Sequence, residues 1–140
     1  MMRILFMLLV SAVLLGGEEW ALIAHPAVRM NAMDISKIRS VYLGNQRYYG
    51  SQKLIPLQLP ADSALRREFE KEVLGMTRNA LREWWIRRHY LGQRPPKVMA
   101  SAEAVLAYVQ QVEGSVGYVP YVLIEDENVT LLYVGGRSEK

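Results

Sequence analysis

Short apolar segments alternate with helical segments along most of this chain, and this alternation is the feature that most restricts its fold. Residues 21–24, 54–59 and 116–119 are apolar runs of strand length. Between them, apolar residues recur at three- and four-residue spacings after an Asp, Ser or Thr, which can accept the free amide hydrogens of a first helical turn. Strands separated by helices predict a single α/β domain with a mixed sheet.

Four helices are expected on this pattern, each between a capping residue and a glycine. The caps are Asp34, Asp62 or Ser63, Thr77 and Ser101, and the terminating glycines are Gly44, Gly75, Gly92 and Gly114. After Pro120, residues 121–124 and 130–134 are predicted to pair as a C-terminal β-hairpin. The expected architecture is therefore a mixed sheet flanked by about four helices, with a hairpin at the end.

The first seventeen residues have the pattern of a secretory signal peptide. Arg3 supplies one positive charge, Ile4 to Leu15 is apolar apart from Ser11, and two glycines precede two glutamates. The apolar run is shorter than the roughly 20 residues of a membrane span, which favours a cleaved signal. We expect cleavage after residue 17, a periplasmic location and one domain over residues 18–140. The alternative is an uncleaved segment that anchors the chain in the membrane.

Composition excludes several kinds of site. The chain contains no Cys, which rules out disulfides, thiolate-bound metals and a cysteine nucleophile. Its two histidines, His25 and His89, are too few for a histidine-rich metal centre. No phosphate loop, nucleophile elbow or zinc-protease motif is present, so we expect no enzyme activity and no cofactor. The net charge of +3 is small, and the predicted export argues against a nucleic-acid partner.

The start of the second helix is the best candidate for a binding site. Asp62-Ser63 follow a strand after a tight turn, and the amides and dipole of a helix N-terminus suit a small anion. Arg66 or Arg67 adds a cation that can form a charge-assisted hydrogen bond. His25, just after the first strand, is a further pocket candidate. The alternative interpretation is simple capping, with Arg66 paired to Glu70 four residues later.

A basic stretch marks a second candidate surface. It contains Arg82, Arg87, Arg88, His89, Arg94 and Lys97. This stretch indicates either a docking surface for a protein partner or a solvated helix face. Trp84 and Trp85 are adjacent within it, so both cannot face the core. We expect one of them to lie in the core and the other to be partly exposed or packed under Pro95-Pro96.

Three segments, in order, resemble parts of the phosphate ABC-transporter substrate-binding proteins. Ile35-x-x-Ile38-x-x-Val41-Tyr42-Leu43-Gly44 is similar to the L-x-x-I-F-L-G helix of that family. The stretch from Trp85 through Tyr90-Leu91-Gly92 to Pro95-Pro96 is similar to its W…F-x-G…P-P stretch. Gly114-Ser-Val-Gly-Tyr-Val119 is similar to its G-A-I-G-Y-V ending. The resemblance extends over residues 21–119.

This resemblance implies one lobe of a type 2 periplasmic-binding fold, in a family whose full members close two lobes on phosphate. Ser63-Ala64-Leu65 lines up with the family's S-G-T turn, of which only the serine is shared. The resemblance implies an exported solute-binding-like protein for phosphate or a similar anion, with a site that a homodimer would complete. The alternative is a ligand-free accessory module of the cell envelope that docks a protein partner.

Overall fold

Seven strands and four α-helices make up residues 18–136, the part of the chain that the computed structural model describes. The strands are β1 (Trp20–Ala24), β2 (Tyr48–Tyr49), β3 (Gln52–Lys53), β4 (Ile55–Gln58), β5 (Lys97–Val98), β6 (Ser115–Pro120) and β7 (Thr130–Gly135). The helices are α1 (Ile35–Tyr42), α2 (Ala64–Phe69), α3 (Arg78–His89) and α4 (Ala102–Gln111). A π-helical turn (Glu70–Leu74) extends α2. The predicted signal peptide, residues 1–17, lies outside the described residues.

Five of the strands form one mixed sheet, in the order β5-β4-β6-β1-β7. β4 runs parallel to β5 and β6, whereas β1 runs antiparallel to β6 and β7. The two-residue strands β2 and β3 form a separate ribbon on either side of residues 50–51. The predicted α/β class, with a mixed sheet and four helices, is confirmed.

β1 lies in the interior of the sheet because all five of its residues are apolar and fully buried. A buried strand needs partners at both edges for its backbone hydrogen-bonding groups. Here Trp20 lies opposite Pro120 of β6 on one side and Gly135 of β7 on the other. The predicted C-terminal hairpin is therefore wrong. Residues 121–124 form a 3₁₀ turn, and β7 pairs with β1 instead.

The predicted helix starts are confirmed by side-chain caps. In each case a hydroxyl or carboxylate oxygen accepts a hydrogen bond from the amide three residues later, at 2.8 to 3.2 Å. The capping residues are Asp34, Ser63, Thr77 and Ser101. At α2 the cap is therefore the serine and not the neighbouring aspartate. The Ser63 cap fixes where α2 begins after the end of β4.

An aromatic cluster forms the core between the sheet and the helices α1 and α2. Phe69 stacks on Tyr118 of β6 with ring centroids 4.0 Å apart, and Tyr42 of α1 meets Phe69 edge-on at 4.8 Å. Trp20 also meets Phe69 edge-on, with ring centroids 5.3 Å apart. Each of these rings removes a large apolar area from water, so the cluster fixes α2 firmly on the sheet. Among the described residues, none of the helices has the length and apolar character needed to span a membrane.

Candidate functional site

A cleft of about 480 Å³ opens beyond the carboxyl end of β4. Its walls come from α2, α3 and the proline-rich connector that leads into β5, and Tyr42, Phe69 and Tyr118 contribute to its floor. Ligands of open α/β sheets commonly bind outside the carboxyl ends of parallel strands. We refer to this space as the arginine cleft, because Arg66, Arg78 and Arg82 line it together with a single carboxylate, Glu70.

Glu70 is the central polar group of the arginine cleft and is only 6% exposed. Its Oε2 accepts a hydrogen bond from Nε of Arg66 at 2.8 Å, and its Oε1 accepts one from Nε of Arg78 at 2.6 Å. Short bonds between ionised partners are stronger than neutral ones, and a buried carboxylate needs such partners. Glu70 therefore orients two guanidinium groups along one wall of the cleft.

The same two arginines also fix the loop between β4 and α2. Arg66 donates from Nη1 to the carbonyl oxygen of Leu59 at 2.9 Å, and Arg78 donates from Nη2 to that of Ala61 at 2.8 Å. Within residues 18–136, Nη2 of Arg66 and Nη1 of Arg78 have no partner. Arg82 adds a third, exposed guanidinium. The cleft thus contains three arginines against one carboxylate, with donors still free for an anion.

Two buried tyrosines beneath the arginine cleft stay neutral at physiological pH. Burial raises the pKa of Tyr42 well above its ordinary value, and the neighbouring Tyr118 raises it further. Burial likewise raises the pKa of Tyr118. The Tyr42 hydroxyl donates to the carbonyl oxygen of Leu57 at 2.8 Å, and the Tyr118 hydroxyl accepts from the amide of Leu59 at 3.3 Å. They hold the end of β4 and contribute no charge to the cleft.

The structure brings some of the predicted site residues together and separates another. Ser63 Oγ accepts from the amide of Arg66 at 3.2 Å, so it acts as a cap beside the arginine cleft. Asp62 is exposed and forms no hydrogen bond within the described part of the chain. His25 lies at the opposite end of the sheet, where its amide donates to the carbonyl oxygen of Ser115 at 3.4 Å. His25 is therefore not part of this cleft.

Sequence reasoning identified the Arg66–Glu70 pair from its four-residue spacing but missed Arg78. This arginine belongs to α3 and reaches Glu70 across the left-handed turn at Gly75, whose φ is 62°. An interaction over eight residues that crosses a turn has no helical periodicity. The sequence offered only a weak signal for Arg78, namely its position directly after the predicted cap Thr77. That position predicts the start of a helix but no contact with Glu70.

Comparisons with solved structures show what the fold is similar to. A phosphate ABC-transporter substrate-binding protein of Clostridium perfringens, solved with bound phosphate, matches 84% of this chain with a TM-score of 0.69 and 16% identity. An ABC-type phosphate transport receptor of Vibrio cholerae matches 84% of this chain with a TM-score of 0.65 and 16% identity. PstS of Borrelia burgdorferi matches 89% of it with a TM-score of 0.65 and 12% identity. No family model and no curated protein matches the chain.

These matches extend over 45%, 46% and 51% of the three solved chains, so this chain spans about half their length. The fold is therefore that of one part of a phosphate-transport substrate-binding protein. The predicted resemblance to this class is confirmed at the level of the fold.

Proposed function

We propose that this protein is a solute-binding-like protein of the cell envelope that binds phosphate or a similar small oxyanion in the arginine cleft. The observation that carries the proposal is the set of three arginines around one buried carboxylate, on a fold shared with proteins that bind phosphate. Arg66 and Arg78 are already oriented by Glu70, so little side-chain ordering remains to be done on binding. Guanidinium groups with free terminal nitrogens match oxyanions geometrically.

The start of α2 supports the same position for the anion. The amides of Ala64 and Leu65 lie in the first helical turn, where a helix offers no internal acceptor. Ser63 Oγ accepts a hydrogen bond from the amide of Arg66, so its hydroxyl hydrogen can still be donated to a ligand. Asp62 is exposed at the same turn, and its charge would oppose an anion placed directly beside it. We therefore place the oxyanion on the arginine side of the turn, toward Arg78.

Isothermal titration with phosphate tests this proposal. We expect binding in the millimolar range or tighter, and Arg78→Gln should weaken it at least about fivefold because it removes one guanidinium donor. Arg87→Gln is the matched control, since Arg87 is exposed on the same helix and does not line the cleft. Equal affinity in the two variants, or no heat with the unsubstituted protein, would contradict the proposal.

Export is the second part of the proposal, with residues 1–17 as a signal peptide and 18–140 as one mature domain. Its test is N-terminal sequencing of the protein recovered by osmotic shock from cells that express the full chain. We expect the mature protein to begin at Glu18. A protein that stays in the cytoplasm with residues 1–17 intact would refute export, and one found in the membrane fraction would favour the anchored alternative.

Dimerisation would enclose an anion that a single copy leaves open to solvent on one side. Light scattering with and without phosphate measures this, and a phosphate-dependent rise from one copy to two is the expected result. A protein that binds phosphate as a monomer would show that the arginine cleft is sufficient. The alternative function, docking of an envelope protein, would use a different surface, the basic stretch that includes Arg94 and Lys97.

A further inference from the structure

A second groove, of about 360 Å³, lies beside the arginine cleft at the start of β4. One wall is the turn after α1, the other is the proline-rich connector between α3 and β5, and Trp85 contributes to the apolar floor. We call it the basic groove, because Arg47, Lys53, Arg94 and Lys97 line it and no carboxylate does. Arg94 and Lys97 belong to the basic stretch singled out in the sequence, whereas Arg47 and Lys53 join them only in the folded chain.

The four cations of the basic groove are exposed, and none forms an ion pair or side-chain hydrogen bond with any of residues 18–136. This distinguishes them from Arg66 and Arg78, whose charge is partly neutralised by Glu70. Like charges in one groove repel one another, so their grouping lowers the stability of the free protein. A negatively charged occupant would relieve this repulsion.

The primary sequence shows how the groove remains free of acidic groups. Residues 35–61 contain four Lys and Arg but no Asp or Glu, and the same holds for residues 84–102. These two stretches supply the walls of the basic groove. In a chain with 14 acidic residues, two such stretches that meet in space create a local positive potential despite the small net charge.

Arg88 holds the two walls of the basic groove in a fixed arrangement. Its Nη2 donates to Oδ1 of Asn45 at 2.8 Å, and its Nη1 donates to Oε1 of Gln93 at 2.9 Å. Its guanidinium also stacks over Trp84 at 4.0 Å, whose Nε1 donates to the carbonyl oxygen of Leu43. Arg88 is thus a bridge between the walls and not part of the free basic surface. The groove is preorganised, which lowers the cost of binding.

Exposed apolar side chains border the same walls. Tyr90 and Leu91 are 84% and 75% exposed next to the connector, and Tyr48 is 55% exposed next to Arg47. Aromatic and arginine side chains are enriched at the centres of protein interfaces, where Lys, Glu and Asp are depleted. Here an apolar floor and rim are combined with four cations. This combination fits a ligand that is both acidic and partly apolar.

We propose that the basic groove binds an acidic peptide segment of a partner protein, with carboxylates on the four cations and an apolar side chain on the Trp85 floor. A free phosphate would use donors that converge on one point, whereas these cations come from separate segments around apolar surface. A single-stranded nucleic acid would need aromatic faces inside the groove for base stacking, whereas Tyr48 and Tyr90 lie outside its lining and Trp85 in its floor is half-buried against Gly44. The charge pattern therefore favours a peptide.

Fluorescence anisotropy tests the proposal with a labelled octapeptide that has a Trp-Leu pair between three acidic residues on each side. Arg94→Gln/Lys97→Gln should weaken its binding about tenfold, because two of the four cations that would face the acidic residues are lost. Arg47→Gln/Lys53→Gln should act similarly from the other wall. The matched control is Arg67→Gln/Lys71→Gln, which removes the same charge from exposed positions on α2 and its π turn and should change the affinity less than about twofold.

Several results would overturn the proposal. These are no binding to the unsubstituted protein, equal binding of the peptide with its acidic residues changed to Gln and Asn, and an equal loss in the α2 control pair. Displacement of the peptide by anionic lipid vesicles or by inorganic phosphate, with binding that depends on Arg94 and Lys97, would assign the groove to a different ligand. The phosphate test uses Arg78, so the two proposals fail independently.

Discussion

Glu70→Gln is the substitution that best tests the physical account of the arginine cleft. The carboxylate is 6% exposed and accepts two charge-assisted hydrogen bonds, each worth about 1.5–3 kcal/mol in proteins. Glutamine keeps the shape and one acceptor oxygen, but it turns an amide group toward a guanidinium and leaves Arg66, whose side chain is 16% exposed, without its counter-ion. The Arg78 side chain is 44% exposed, so solvent screens its share.

From these contributions we expect Glu70→Gln to lower the free energy of unfolding by about 2–3 kcal/mol. Urea denaturation followed by tryptophan fluorescence measures this, since Trp20 packs on Phe69 in the core. Glu68→Gln, on the exposed side of α2, is the matched control and should change stability by less than about 0.5 kcal/mol. A loss below about 1 kcal/mol, or equal losses in both variants, would refute the reasoning.

The same substitution should strengthen phosphate binding although it lowers the stability of the fold. In folded Glu70→Gln the guanidinium groups of Arg66 and Arg78 no longer share their charge with a carboxylate. Phosphate affinity, measured by titration below the unfolding transition, should rise roughly threefold to tenfold. A general loosening of the fold would lower the affinity instead, so this sign separates an electrostatic effect from structural damage.

Two further predictions concern the core. Because the pKa values of Tyr42 and Tyr118 are raised in the folded state, the unfolded chain loses protons first as the pH rises above about 10. Stability should be fully present below that pH and fall above it, more steeply than in the Tyr42→Phe/Tyr118→Phe variant; parallel denaturation curves at pH 9 to 11 in the two proteins would contradict this. Gly117→Ala should cost about 1–3 kcal/mol, because its new methyl group would meet Cγ1 of Val105 on α4. In denaturation experiments the added Val105→Ala should recover part of that loss, and strictly additive effects would show that the two positions do not touch.

Local patterns in the sequence were sufficient to predict the four helices and the four longer strands, but not the two-residue strands β2, β3 and β5. A helix start depends on a side chain and an amide three residues apart, so Asp34, Ser63, Thr77 and Ser101 could be assigned without knowledge of the fold. The apolar segments likewise marked β1, β4 and β6. The predicted basic cluster was only partly a surface, because Arg88 is used inside the structure.

Strand pairing and the composition of the site were decided by tertiary structure. β7 pairs with β1, about 110 residues earlier, because that fully buried strand has a second edge to satisfy, and no local pattern encodes this choice. β4 runs parallel to β6, whereas β1 runs antiparallel to it. His25, which follows β1, and Ser63, which follows β4, therefore lie at opposite ends of the sheet. Arg78 joins Glu70 only because the turn at Gly75 brings α3 back across α2. Sequence alone thus determined the helices and the longer strands and predicted a candidate anion site at the start of α2, since these depend on neighbouring residues. Only the tertiary structure decided which charges are neutralised and which remain free, because that depends on distances between segments.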